Sequence, residues 1–241
     1  AAAHPLGNFS ISQYSGIRIG RDAVELRYVV DMAEIPTFQE LQESGIAPTA
    51  GDVNLRRYLA RKAEMLRDGL SLRVAGKPMV LEINSSDIVF PPGAGGLPTM
   101  KIGILFKATV DGNSANRELS LDFRDGNFPG RAGWKEIVAV ASSDVKLTDS
   151  SVPPLDRSRQ LSDYPTDLLN SPPQQLEARV SFTTMAVSMP VSTTRSVALT
   201  RDVSQKSHSI KSRPTDVAPS SNKIPPAEQT LGAVARTGST G

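Results

Sequence analysis

The stretch "NFSISQYSGIRIGRDAVELRYVVDM", residues 8–32, decides the fold class. Its apolar side chains recur at every second position on both sides of a Gly-Arg-Asp triplet, residues 20–22. Alternation with a period of two is typical of strands that bury one face. A turn triplet between two such runs predicts a β-hairpin. The predicted buried face of its second strand carries Val24, Leu26, Tyr28 and Val30.

The same alternation returns further along the chain. A second hairpin is predicted in "LSLRVAGKPMVLEIN", with its turn at Ala75 to Pro78. Further strands are predicted in "TMKIGILFKATV", "RELSLDF", "WKEIVAVAS" and "QLEARVSFTTM". This pattern gives eight to nine strands.

Two helices are predicted between the two hairpins, near residues 36–44 and 53–68. The first begins through Pro36 and ends at Gly45, and the second has Asp52 as its N-cap and Gly69 as its end. The second helix is amphipathic, because apolar residues recur three or four positions apart. They are Leu55, Leu59, Ala63 and Leu66.

Consecutive strands with short turns predict a mainly β fold: an antiparallel β-sandwich-like domain over residues 4–185 with a two-helix insertion. An α+β domain with one curved sheet wrapped on the helices is the alternative. All twelve aromatic residues precede Met185, and Ser, Thr and Pro are abundant in residues 186–241. Such a composition cannot bury enough apolar surface to fold, so residues 186–241 are predicted to be a disordered linker.

Composition excludes several classes of function. The net charge is +2 for the whole chain, but residues 1–185 carry a net −2, so no nucleic-acid partner is expected. The absence of cysteine excludes disulfides, thiolate nucleophiles and cysteine-based metal sites. No apolar run approaches the roughly 20 residues of a membrane span. A hydrolase triad lacks a base, since His208 lies in the predicted linker, and we predict that the chain is not an enzyme. A hydrolase that uses the carboxylates of Asp31 and Glu34 is a weaker alternative.

The beginning "AAAHPLGNFS" predicts a processed N-terminus. Residues 1–3 match the small-residue end of a signal peptide, so that cleavage after Ala3 makes His4 the first residue. An α-amine and an imidazole on one residue chelate Cu(II) or Ni(II), and a chain that begins at Ala2 offers a square-planar site with His4 third. We therefore predict His4 as a metal ligand. The alternative is that Pro5 starts the first strand and His4 is exposed.

A second candidate site surrounds the single tryptophan. The segment "FRDGNFPGRAGWKEIVAV" places Asp125 and Asn127 in a hairpin loop before Trp134, and "YPTDLL" adds Tyr164. These four residues are the predicted binding surface for a partner. The alternative is a long hairpin turn whose Trp134 anchors the next strand to the core.

The segments "HPLGNFSISQYSGI", "RYVVDMAEIPTFQEL", "GRAGWKEIVAV" and "YPTDLL" resemble the extracytoplasmic N-terminal region of bacterial high-affinity nickel/cobalt permease-like transporters. The likeness covers about residues 4–185. In that family the first histidine follows a signal peptide, and a membrane domain follows a variable linker. The histidine/aspartate helix motif on which the family's transport depends does not occur in this sequence.

The resemblance implies the extracytoplasmic domain of a metal-transport protein, at the periplasmic or extracellular face and tethered to the membrane in the full-length protein. Its implied partners are the transporter's membrane domain, a divalent metal ion such as Ni(II), Co(II) or Cu(II), and a docking protein. The alternative function is a metal-independent structural or protein-interaction β-sandwich.

Overall fold

The structure, a computed structural model, describes residues 4–49, 52–110 and 117–185, all within the first of two compact units of the chain. The predicted signal-peptide remnant, 1–3, and the predicted linker, 186–241, lie outside the described residues. The helices are α1, Glu34–Ser44, and α2, Leu55–Asp68. The strands are β1, Ile11–Ile19; β2, Ala23–Met32; β3, Leu70–Val74; β4, Lys77–Pro78; β5, Glu82–Val89; β6, Met100–Thr109; β7, Glu118–Asp125; β8, Lys135–Ala141; β9, Val145–Ser150; and β10, Glu177–Thr184.

The strands form two five-stranded sheets. One has the order β5-β6-β2-β1-β8, and the other has the order β4-β3-β7-β10-β9. One apolar cluster takes side chains from both, among them Phe106 from the first sheet and Phe182 from the second. The prediction of a mainly β, sandwich-like fold with a two-helix insertion is confirmed. The alternative of a single curved sheet is wrong, because the chain divides its strands between two sheets.

The first hairpin is confirmed. Antiparallel pairing of β1 with β2 sets Ile17 opposite Leu26 and Ile19 opposite Val24, and these four side chains are buried. On its other side β2 pairs with β6, so β2 lies at the centre of its sheet. A central strand is buried on both faces, which explains why Val29, on the predicted outer face, is also buried.

Each helix begins two residues away from its predicted first residue. Helix α1 begins at Glu34 instead of Pro36, and α2 begins at Leu55 with Asn54 at the N-cap position. Asp52 is therefore not the N-cap, although its carboxylate accepts hydrogen bonds from the backbone N–H groups of Ala47 (2.6 Å) and Asn54 (2.8 Å). These bonds lower the pKa of Asp52. The predicted end of α1 at Gly45 is confirmed, with φ of 67°.

Three features of the sheets differ from the sequence prediction. Strand β8 pairs with β1 in parallel, whereas the pattern predicts only antiparallel pairing. Strand β9 lies in a segment whose pattern is irregular, since only Val145 and Leu147 are apolar in it. In the second predicted hairpin the turn is shorter than predicted: it is made by Ala75 and Gly76, because Lys77 and Pro78 already pair with β3 as strand β4. From β4 the chain continues to β5 in the other sheet.

Candidate functional site

The N-terminal segment lies along the junction between β2 and α1. The backbone N–H of Ala33 donates to the Ser10 carbonyl and that of Ile35 donates to the Asn8 carbonyl, each at 3.0 Å. The Gly7 N–H donates to the His4 carbonyl at 2.9 Å and turns the chain. This path brings His4 back over the end of β2.

The imidazole of His4 is buried, with its side chain 4% exposed. Its Nδ1 lies 3.0 Å from Ser10 Oγ and accepts the Leu6 N–H at 3.3 Å. Because Nδ1 is an acceptor, the ring proton belongs on Nε2, which lies 3.3 Å from Asp31 Oδ2. The alternative of an exposed His4 is therefore wrong, and β1 begins only at Ile11. A metal-binding role of His4 stays a prediction.

Asp31 connects His4 to two further groups. The Tyr164 hydroxyl donates to Asp31 Oδ2 at 2.7 Å, and Lys101 Nζ lies 3.8 Å from the same oxygen. Burial and the adjacent Asp31 charge raise the pKa of Tyr164 well above its ordinary value, so its hydroxyl remains a donor. His4, Asp31, Tyr164, Ser10 and Lys101 are called the His4 cluster below.

Trp134 packs against the His4 cluster from the core side. Its ring packs edge-on against Tyr164, with centroids 5.8 Å apart, and Tyr164 packs edge-on against His4 at 5.6 Å. The indole N–H donates to Glu136 Oε2 at 2.8 Å. Trp134 is 0% exposed and Tyr164 is half-buried, so the indole supports the cluster from inside the fold.

The other two members of the predicted binding surface lie elsewhere. Asp125, at 3% exposure, accepts hydrogen bonds from the Tyr28 hydroxyl (2.9 Å) and Gln13 Nε2 (2.7 Å). The Asn127 side chain donates to the Leu66 carbonyl of α2 at 2.9 Å. This polar network ties β1 and β2 to β7 and α2 across the core. The four predicted residues therefore belong to two separate groups, and a role in partner binding stays a prediction.

The buried Asp125 gives a pH-dependent prediction. Burial raises the pKa of its carboxyl, although hydrogen bonds from Asn127, Tyr28 and Gln13 oppose that rise. The unfolded chain releases this proton at a pH of about 4. The folded state thus binds more protons above that pH, and the contribution of Asp125 to stability declines as pH rises toward its folded pKa.

The variant Asp125→Asn is expected to remove that decline. Urea unfolding between pH 4 and pH 7 measures it: the stability of the variant relative to the native chain increases as pH rises. Asp149→Asn, at an exposed position of β9, is the control and leaves the pH dependence unchanged. Native and Asp125→Asn curves that remain parallel contradict the prediction.

Glu34 lies beside the His4 cluster with an incomplete set of partners. Glu34 is 1% exposed. Its Oε1 accepts a hydrogen bond of 2.7 Å from the backbone N–H of Ala94, which lies in the glycine-rich loop, residues 91–98. Its Oε2 has no hydrogen-bond partner among the described residues. Burial raises its pKa, but the bond from the Ala94 N–H, the nearby backbone of Glu34 and His4 and the charge of the His4 side chain together lower it.

The His4 cluster contains the residue types of a hydrolase triad without a reachable nucleophile. Ser10 is buried, and its hydroxyl lies 2.8 Å from the Gly7 carbonyl that accepts from it. Asp31 and Glu34 are also buried. Burial to this degree keeps a molecule of substrate size away from these groups in this conformation, whereas a small ion requires only a few ångströms of space.

Sequence reasoning selected His4, Asp31 and Tyr164 separately and missed that they meet. Lys101 carried no signal, because a lysine on the polar face of an alternating strand is common.

Within the residues that the structure describes, no three side chains of His, Cys, Asp or Glu group together as a metal site. No helix in the described part of the chain is long and apolar enough to cross a membrane. No protein-family model matches the chain, and no curated protein matches it.

Proposed function

We propose that this chain is a non-enzymatic extracytoplasmic domain of a divalent-metal transporter of the nickel/cobalt class and that it captures the ion through His4. The sequence resemblance over residues 4–185 supports the class of protein. The observation that carries the proposal is the pair His4 Nε2 and Asp31 Oδ2, which lie 3.3 Å apart in a buried setting.

The spacing of this pair suits two donors on one ion. Imidazole nitrogen and carboxylate oxygen bind a divalent ion such as zinc at about 2.1 Å, so two neighbouring donors lie about 3.0–3.4 Å apart. An ion that replaces the proton on Nε2 therefore requires little movement of either side chain. Imidazole is a preferred ligand of nickel and copper. Water completes the coordination, because backbone nitrogens at the N-terminus chelate an ion together with Nδ1 of His4, and Nδ1 faces Leu6 and Ser10 instead.

Lys101 makes the location of the ion testable. Its ammonium lies 3.8 Å from Asp31 Oδ2, so its charge opposes a second cation at this oxygen. The variant Lys101→Met removes that repulsion and is expected to tighten ion binding about tenfold. Weaker or unchanged binding in Lys101→Met contradicts an ion held between His4 and Asp31.

Calorimetric titration with Ni(II), Co(II) and Cu(II) tests the proposal on protein whose first residue is verified by mass spectrometry. We expect one-to-one binding with a Kd at or below about 1 μM, or about −8 kcal/mol. His4→Ala abolishes it, and Asp31→Asn weakens it about 10- to 100-fold. His208→Ala, at the only other histidine, is the control and leaves binding unchanged. Absence of binding in the native chain, or equal loss in His208→Ala, overturns the metal site.

The transporter assignment has a separate test. We propose that the chain lies at the periplasmic or extracellular face and is tethered through a membrane domain in the full-length protein. The coding sequence downstream of Gly241 decides this directly. Apolar segments of about 20 residues support a membrane domain, and a stop codon contradicts it.

One observation favours a second candidate, a metal-independent structural or protein-docking domain. Both ring nitrogens of His4 already have protein partners, and Asp31 already accepts from Tyr164. In that function His4 fastens the N-terminal segment to the sheet. The titration distinguishes the candidates, because the metal-independent domain binds none of the three ions in a His4-dependent way.

A further inference from the structure

A slot with a volume of about 280 Å³ lies between the two sheets at one end of the sandwich. Thr109 and Val110, at the end of β6, line it from the first sheet, and residues of β3, β4 and β7 or next to them line it from the second. Strand β4 is the edge of the second sheet and has only two residues, so it covers little of the core beside it.

The inner wall of the slot is apolar. Val74, Val110 and Leu119 line it and belong to the main apolar cluster, and Met79 packs against the same cluster. The backbone N–H of Met79 donates to the Leu72 carbonyl at 2.9 Å, which holds Met79 beside β3. An apolar chain that enters the slot leaves water and gains contact with these side chains, so burial favours its binding.

Two cations lie at the rim of the slot. Lys77 and Arg117 are exposed, and neither forms an ion pair with another described residue. In the described part of the chain no Asp or Glu lines the slot. Two larger grooves of the second sheet differ, because Asp122 and Glu177 line one and Asp125 and Glu177 line the other. The slot therefore combines an apolar wall with a positive rim.

We propose that the slot binds the free anion of a medium-chain fatty acid. The carboxylate lies at Lys77 and Arg117, and the chain lies against Val74, Val110 and Leu119. The slot's volume of about 280 Å³ equals that of roughly nine water molecules in the liquid. A methylene group is about as large as a water molecule, so a chain of about eight carbons fills the slot. This site goes beyond metal capture, since it shares no residue with the His4 cluster.

Charge complementarity selects an anion, and the apolar wall selects an anion that carries a chain. Arg117 offers five N–H donors in a planar fork that fits a carboxylate, and Lys77 offers three. Because both cations are exposed to water, they alone attract a free anion only weakly. The chain supplies most of the affinity, at about fourfold per buried methylene group. A ligand that lacks either part is therefore expected to bind poorly.

Calorimetric titration with sodium octanoate, at low ionic strength and with a metal chelator present, tests the proposal. We expect one-to-one binding with a Kd of about 0.1 mM. Hexanoate, which is two methylene groups shorter, is expected to bind about tenfold more weakly. Acetate lacks the chain and octanol lacks the charge, and each is expected to bind at least about tenfold more weakly than octanoate. The chelator makes these results independent of metal capture.

Substitutions at exposed positions of the rim test the location without disturbing the core, and circular dichroism verifies the fold of each variant. Lys77→Met and Arg117→Met are each expected to weaken octanoate binding about fivefold. Thr109→Glu adds a carboxylate at the rim and is expected to weaken binding more than about tenfold. Lys146→Met, at an exposed lysine of β9 on the opposite edge of the same sheet, is the matched control and leaves binding unchanged.

The proposal is overturned by the absence of saturable octanoate binding, by equal affinity for octanoate and octanol, or by equal losses in Lys77→Met and Lys146→Met. A membrane surface is the other partner that an apolar slot with a positive rim could meet. Sedimentation of the chain with vesicles of phosphatidylcholine and phosphatidylglycerol, lost in Lys77→Met and without binding of free octanoate, also overturns the proposal and assigns the slot to that surface.

Discussion

Replacing Gly133 by alanine is expected to lower the free energy of unfolding by about 4 kcal/mol, from backbone strain and forced displacement together. Gly133 has φ of 150°, and a Cβ there would lie 2.1 Å from the carbonyl oxygen of Ile11 and 2.6 Å from its carbon. These neighbours are backbone atoms, so rotation of a side chain cannot relieve the contact. The strands themselves must separate.

The position explains the size of the expected effect. Gly133 lies between two hydrogen bonds that join the start of β1 to the segment before β8: Ile11 N to Ala132 O at 2.9 Å, and Gln13 N to Trp134 O at 2.7 Å. A displacement here breaks the beginning of the parallel pairing. It also moves Trp134, which supports the His4 cluster.

Urea unfolding followed by circular dichroism measures the effect, with Gly130→Ala as the matched control. Gly130 has φ of 73°, and the position that an alanine methyl group would take there has no neighbouring atom within 4 Å. Alanine at Gly130 therefore costs only the backbone strain of about 1 kcal/mol. Equal losses in Gly133→Ala and Gly130→Ala contradict the close approach of the two strands.

The variant Trp134→Ala is expected to lose about 3–5 kcal/mol of stability. Trp134 is the largest fully buried side chain in the described part of the protein, and it packs in one cluster with Tyr14, Val29, Val138 and Leu161. Removal of the indole leaves a cavity and deprives Glu136 Oε2 of a donor, although the Ser158 hydroxyl still donates to that oxygen at 2.6 Å.

Two further variants separate packing from the hydrogen bond. Trp134→Phe keeps an aromatic ring but loses the indole N–H, and we expect a smaller loss of about 1–2 kcal/mol. Phe9→Ala, at a side chain that is 69% exposed, is expected to change stability by about 0.5 kcal/mol or less. Denaturant unfolding by circular dichroism measures all three. A Trp134→Ala loss no larger than that of Phe9→Ala places the indole outside the core.

The parts of the fold that local pattern encodes were predictable. Alternation in β1 and β2 and the triplet between them are properties of neighbouring residues, and so is the end of α1 at Gly45. The parallel pairing of β8 with β1 was not predictable in this way. It depends on where the chain returns after the helices and the second sheet. The residues of β8 show the same alternation whether the strand pairs in parallel or antiparallel.

In the candidate site, single residues could be predicted from the sequence, but their meeting in space could not. His4 and Asp31 each stood out as chemistry-bearing residues, but nothing local indicates that Nε2 of one lies 3.3 Å from Oδ2 of the other. Trp134 was recognised both as a surface candidate and as a core anchor, and burial decides between those positions. The orphaned oxygen of Glu34 has no sequence signature, because Glu34 resembles any acidic residue in the first turn of a helix.

The parallel pairing of β1 with β8 also sets an order of events during synthesis. Tyr164 follows Asp31 by 133 positions in the chain, and Trp134 follows Ser12 by 122. At a synthesis rate of about 5–20 residues per second, those partners emerge roughly ten seconds after the N-terminus. During that interval the N-terminal segment has its hairpin, but Trp134 and Tyr164 are not yet present to pack against it. The His4 cluster is therefore complete only after Tyr164 has emerged.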